Sequence, residues 1–370
     1  MSFSSFFIIP LFIVYYHIMI KSPEMLNTVM MQRIALPAIG PDDFPTDLVY
    51  DNPVMQREIY FAPLEDVTGY LFRNLHNMLF SGADRYYAPF ISAVEPERKI
   101  KRRELIDTDP ENNQGINIIP QILTNSSVDF INTAEMLIDR GYTEINLNLG
   151  CPSKDVVKRK KGSGFLSVPD KLDSFFDEIF NTLSEKGHSN VAISVKTRIG
   201  RNDTGNLDRI IGILNRYPIS EVTVHPRLGK DFYRGPLDME AFEKMYEGLQ
   251  HPVIFNGDLT SNDDIKDTFD KYPGLKAVMI GRGMIRNLAL AREYKGGEPL
   301  SLPEITGFTR ELYRSYKESL HAEIYAVNKM KELWGWIKEN PIFTGKEREI
   351  RAVLKAKSPV EYESAVHMIK

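Results

Sequence analysis

From residue 58 onward, short apolar runs alternate with stretches of helical period, and this alternation limits the possible folds more than any other feature of the chain. The runs predict eight strands: EIYFA at 58–62, RYYAPF at 85–90, NIIPQI at 117–122, EINLNL at 144–149, AISVKT at 192–197, EVTVH at 221–225, PVIFN at 252–256 and KAVMI at 276–280. Polar-apolar stretches such as 126–140, 170–186 and 261–271 lie between them and predict helices. Alternating β and α units imply a parallel sheet. Eight such units in about 240 residues match a (β/α)8 TIM barrel in size. A doubly wound open sheet is the competing arrangement, because strand order is not legible in one sequence.

The pattern changes after Gly297, and residues 303–370 contain no convincing strand. Leu312, Tyr316, Leu320, Ile324 and Val327 recur at helical spacing among charged residues, which predicts a small all-helical C-terminal domain. At the other end, residues 6–20 are strongly apolar but interrupted by Pro10, and the first basic residue is Lys21. The run is shorter than the roughly 20 residues of a membrane span. Three readings apply: a start codon placed too far upstream (Met19, Met25, Met31 and Met55 follow), a weak membrane anchor, or a packed or disordered arm. The expected organisation is therefore an extension over 1–57, a barrel over 58–297 and a helical domain over 298–370.

Composition narrows the chemistry. With 46 basic and 50 acidic residues the formal net charge is −4, so any nucleic-acid role must rest on local basic patches. A single cysteine, Cys151, excludes an internal disulfide and a multi-cysteine metal site, and the seven histidines show no metal-binding spacing. No metal and a reducing, cytoplasmic setting are the expectation.

The polar oddities of the chain fall at the C-terminal ends of the predicted strands. They are Pro63, Gln121, Asn148 with Cys151, Lys196 with Arg198, His225 with Arg227, Asn256 with Asp258, and Gly281 with Gly283. In a barrel these ends converge on one rim, where barrel enzymes keep their active sites. The Gly281-Arg282-Gly283 turn before a helix near Met284, with Asn256-Gly257-Asp258 one strand earlier, suits a phosphate. A lysine ending an apolar strand suits the electron-rich edge of a cofactor ring such as reduced flavin, and His225 could donate to the same edge. Cys151 sits on a tight Gly-Cys-Pro loop with no nearby histidine base, so a general acid is as open to it as a nucleophile.

Two basic runs complete the inventory. One holds Arg98, Lys99, Lys101, Arg102 and Arg103; the other holds Lys154, Lys158, Arg159, Lys160 and Lys161, in the loop after Cys151. The second is expected at the pocket mouth, where it suits a polyanion such as RNA. Lys329, Lys331 and Lys338 with Trp334 and Trp336 add a mix able to hold phosphates and stack on bases.

These residues resemble the tRNA-dihydrouridine synthase family. FAPLEDVTGYLFR at 61–73 is similar to the family's opening motif, and NLNLGCPSKDVVKRKKGSGFL at 146–166 to its signature; VKTRIG, VHPR, NGDL and GRG follow in the family's order. The resemblance implies FMN as cofactor, NADPH or NADH as reductant, and tRNA as substrate, with no stable protein partner. Hydride passes from flavin N5 to C6 of a flipped-out uridine, and Cys151 protonates C5 to give 5,6-dihydrouridine, with Asn148 orienting the base. It also implies a cofactor set: Ala62, Pro63 and Leu64, then Gln121, Lys196 and His225 at the ring, and Asn256, Gly257, Asp258, Gly281 and Arg282 at ribityl and phosphate. Lys154, Lys158, Arg159, Lys160 and Lys161, with Arg198 and Arg227, form the implied tRNA-binding set.

The chain departs from the family pattern at Leu64, where Met is usual, and at His225-Pro226-Arg227-Leu228 and GSGFL. Two rivals share parts of this reading: an FMN-dependent barrel reductase of a free pyrimidine or other small molecule, and a non-catalytic RNA-binding barrel. The basic loop argues against the first. The intact Cys151, Lys196 and GRG argue against the second.

Overall fold

A computed structural model describes residues 57–369. The apolar run at 6–20 lies outside them. Ten strand segments form one all-parallel sheet: β1 (Glu58–Phe61), β2 (Arg85–Tyr87), β3 (Ile91–Ser92), β4 (Ile118–Ile119), β5 (Gln121–Leu123), β6 (Glu144–Leu149), β7 (Ala192–Arg198), β8 (Val222–His225), β9 (Val253–Phe255) and β10 (Ala277–Ile280). β2 and β3 are two halves of one barrel position, split around Pro89, and β4 and β5 are two halves of the next, split at Pro120. β2 pairs with β4 and β3 with β5, while β10 pairs with β1. The strand order therefore closes on itself, giving the eight positions of a (β/α)8 barrel. Prolines split these two positions because each lacks the N–H a ladder needs.

Strand alternation sorts side chains between two cores. Ile59, Phe61, Val278 and Ile280 pack outward against the helices, while Tyr60, Ala62, Ala277 and Met279 fill the barrel interior. The same parity on β6 and β7 sends Ile145, Leu147, Ile193 and Val195 outward. It leaves Asn146, Asn148, Ser194 and Lys196 for the inside. The N-terminal end of the barrel is plugged by charge. Buried Glu221 accepts from the Tyr87 hydroxyl at 2.7 Å and from Lys276 at 2.6 Å, and Arg85 reaches Glu144 at 2.8 Å. The other end holds the cavity.

The last barrel helix ends at Tyr294, and helices Leu302–Ser319, Glu323–Ile337, Glu347–Lys355 and Pro359–His367 follow. Ser301 and Glu304 cap the first of these reciprocally. Phe308 on that helix meets Phe72 and Phe80 edge-on or tilted at 5.4 and 5.5 Å, docking the helical segment on the first barrel helix, Tyr70–Leu79. Among the described residues, no helix is long and apolar enough to cross a membrane.

Candidate active site

The C-terminal strand ends surround one cavity of about 340 Å³. Ala62, Pro63, Leu64, Gln121, Lys196, His225, Asn256, Gly257, Asp258, Gly281 and Arg282, the whole expected cofactor set, line it. So do Asn148, Cys151 and Arg198. Inward parity on separate strands brings together residues up to 220 positions apart in the chain, as from Ala62 to Arg282.

A chain of amides fixes the Cys151 loop. Asn146 donates to the Ser194 hydroxyl at 3.0 Å and accepts from Gln121 at 2.7 Å; Gln121 in turn accepts from Asn148 at 2.6 Å. The Asn148 carbonyl accepts the backbone N–H groups of Gly150 and Cys151 at 3.0 and 2.9 Å. Asn148 thus spends its oxygen and one N–H on scaffolding and keeps one N–H free. From below, the Ser163 backbone and hydroxyl both donate to the Cys151 carbonyl at 3.0 Å. Gly162 sits at φ +55, where a Cβ would fall 2.7 Å from that carbonyl, so the Gly-Ser pair is a clamp on the cysteine loop. Burial pushes the Cys151 thiol up, against the pull of the Ser153 N–H, Arg198 and Lys196, so it stays protonated at neutral pH.

The arc beside the Cys151 loop, beginning on the next strand where Lys196 is in register with Asn148, is cationic. Enclosure pushes the Lys196 ammonium down to about 7, and Arg198 beside it adds to this. Lys196 makes no hydrogen bond or ion pair among the described residues. The His225 ring is held well below its usual range by burial and by Arg198, Lys196, Arg227 and Arg282, so it is neutral. Its Nε2 accepts from Arg227 at 3.2 Å, which places the ring proton on Nδ1. Although burial works against it, Arg227 and Arg282 hold the Asp258 carboxyl below the ordinary range. Arg282 donates to Asp258 at 2.6 Å. Tyr233 covers this arc, with its ring centroid 5.4 Å from the Arg198 guanidinium and 5.3 Å from that of Arg282.

Several expected residues have other positions. Arg227 does not line the cavity: it is buried, pairs with Asp258 through both terminal nitrogens, and donates to the Gly235 carbonyl. Substrate contact gives way here to bracing of Asp258. Arg198 lines the cavity but donates to the Gly150 and Leu228 carbonyls at 2.9 Å each. Gly283 serves packing, because a Cβ there would fall 2.0 Å from the Leu259 carbonyl. The short helix begins at Arg282 itself, with Gly281 as its cap. Lys154, Lys158, Arg159 and Lys160 are exposed and Lys161 half-buried, on the helix Lys154–Lys158 and the turn after it. None of the five lines the cavity. Trp334 is fully buried and donates to the Tyr362 hydroxyl at 3.1 Å, so it is core and no stacking platform. Lys329 and Lys331 are held by Asp66 and the Ala356 carbonyl.

Glu65, Tyr233, Glu332 and Trp336 line the cavity without having been expected as a set. Tyr233 lies in a loop with no periodic signal. For Glu332 and Trp336 a signal existed in their i, i+4 spacing, which puts both on one helix face.

Residues 60–364 match the family model described as dihydrouridine synthase. The chain belongs to the dihydrouridine synthase family. It is 26% identical over 239 residues to tRNA-dihydrouridine synthase B of Pasteurella multocida, covering 64% of this chain and 69% of that one. It is 24% identical over 287 residues to the tRNA-dihydrouridine(16) synthase of Pseudomonas putida, covering 74% and 86%. Morphinone reductase, a solved structure, superposes with a TM-score of 0.48 at 12% identity over 68% of this chain and 88% of that one. The family membership agrees with the resemblance carried by the Gly-Cys-Pro loop and the strand-end motifs.

Proposed function

We propose that the protein reduces uridine in tRNA to 5,6-dihydrouridine, with FMN held at the barrel rim and NADPH or NADH as reductant. The observation that carries this reading is the cavity itself. An unpaired, enclosed lysine and a thiol that burial keeps protonated, on a braced loop, line it together from neighbouring strand ends. The residues present fit a flavin. The cationic arc suits an anionic group, and Gly257 and Gly281 line the cavity without a side chain.

When bound, the flavin supplies hydride to C6 of the uracil. Gln121, Lys196 and the Nδ1–H of His225 would hold the ring, and Lys196 would favour negative charge at its edge. Gly281 and Arg282 would hold the phosphate. Asp258 is saturated by two arginines and aims Arg282 rather than meeting the phosphate itself. Hydride at C6 of a C5=C6 bond conjugated to the C4 carbonyl leaves an enolate, which needs a proton at C5. Cys151 would give that proton, and the free N–H of Asn148 would meet a uracil carbonyl. The five basic residues at 154–161 make no ion pair among the described residues and would take tRNA phosphates, with the segment 298–370 as a second wall.

The test is direct. An unmodified tRNA transcript incubated anaerobically with the FMN-loaded protein and NADPH should yield dihydrouridine, read by mass spectrometry of the nucleosides. Loaded, NADPH-reducible protein that leaves every uridine intact would overturn the reading.

A further inference from the structure

The helix Glu323–Ile337 presents one stripe to the barrel rim. Lys329, Glu332 and Trp336 follow at spacings of three and four, the repeat of a single helix face, and Asn340 lies three residues past the helix end. Contacts pin the stripe at its start and just beyond the end of the helix. Lys329 donates to the Asp66 carbonyl at 2.7 Å and its carboxylate at 3.0 Å, and Asp66 lies at φ 64 in the loop after β1. Asn340 donates to the Arg286 carbonyl at 2.9 Å, at the end of the short helix that Gly281 caps. Between these anchors Glu332 and Trp336 reach the cavity. They are the part of its wall that the barrel strands and loops do not supply.

The polar groups of this cavity are unequally spent. Its donors are plentiful, and its acceptors are mostly occupied. The Asn148 oxygen takes two backbone N–H groups, Gln121 takes Asn148, and Asp258 takes two arginines. Glu65 faces Arg103 at 3.3 Å. Glu332 alone among these carboxylates makes no hydrogen bond or ion pair among the described residues. A carboxylate at the mouth of a site for a polyanion repels phosphate, so it needs a ligand that donates.

Resting on the functional reading above, we propose that Glu332 and Trp336 form the base-recognition wall of this enzyme: Trp336 stacks on the flipped-out base, and Glu332 accepts its N3–H. Uracil carries one donor on its pairing edge, N3–H, flanked by two carbonyls. Cytosine carries a lone pair at N3, which a carboxylate repels. Glu332 therefore selects uracil over cytosine, and the pinned helix holds it in register. Burial at the cavity edge raises the Glu332 carboxyl and strengthens the bond it accepts.

The experiment follows tRNA-driven reoxidation of the reduced holoenzyme, with UMP, CMP and deoxy-UMP as competitors. Wild type should be inhibited by UMP better than by CMP by roughly tenfold or more, the worth of one hydrogen bond to a charged group. Glu332→Gln should bring that ratio close to one while keeping wild-type flavin content. Trp336→Ala should weaken UMP and CMP alike, and Trp336→Phe should restore both. An unchanged ratio in Glu332→Gln overturns the proposal. So does a ratio near one in wild type. Loss of the preference for UMP over deoxy-UMP, with the base ratio intact, would place Glu332 on the ribose and overturn it too. Reduced wild-type protein that tRNA does not reoxidise contradicts the functional reading itself.

Discussion

Replacing Lys196 by Met should stabilise the flavin-free protein and weaken its hold on flavin. Lys196 lies two residues before the end of β7, against the cavity, its ammonium without a partner among the described residues, and enclosure lowers that group from 10.5 to about 7. At about 1.4 kcal/mol per pH unit, that gap sets a cost of about 5 kcal/mol at most for carrying the charge, since water entering the cavity softens it. Methionine keeps the length of the side chain and removes the charge. Because the folded state binds this proton less tightly than the unfolded chain, wild type bears the whole cost below pH 7 and recovers stability as pH rises toward 10.5. The advantage of Lys196→Met should be largest at about pH 6 and smaller by about 2 kcal/mol at about pH 8.5. Urea unfolding of both flavin-free proteins at the two pH values reads this difference, and titration with FMN reads the loss of affinity. A variant no more stable than wild type at low pH, or one whose advantage ignores pH, would refute the argument from enclosure. Wild-type flavin affinity and reduction would separate Lys196 from the cofactor.

Cys151→Ala should keep its flavin and its oxidation of NADPH but lose most dihydrouridine, by about a hundredfold as expected for a general acid; unchanged product formation would remove the thiol from the mechanism. Gly283→Ala sets a methyl group 2.0 Å from the Leu259 carbonyl, so the backbone must shift. A loss of about 2 kcal/mol or more in urea unfolding is expected, and a neutral result would contradict the packing role. Neutralising Lys158, Arg159, Lys160 and Lys161 together should weaken tRNA binding and flatten its dependence on salt. Equal slopes in a salt titration would move the RNA surface elsewhere.

The barrel was legible because period-two and period-3.6 patterns alternate cleanly from Glu58 to Tyr294, and because polar residues at strand ends stand out against apolar runs. What stayed hidden depends on pairing and burial. Pro120 inside 117–122 splits one strand into β4 and β5, which a composition pattern reads as continuous. Arg227 looks like a free cation in sequence; only its contact with Asp258, 31 residues away, makes it a brace. Trp334 and Trp336 look equivalent in sequence. Two residues along a helix turn about 200°, so one enters the core and the other the cavity. The wall made by Glu332 and Trp336 depends on how the helical segment docks on the rim, which local pattern does not encode.

The most direct test of the account is an anaerobic absorption titration of the purified protein with NADPH and then with unmodified tRNA. The account predicts flavin bands near ~450 nm that NADPH bleaches and tRNA restores, with dihydrouridine formed in step. Protein that stays colourless after incubation with FMN, or reduced flavin that tRNA leaves bleached, would contradict it.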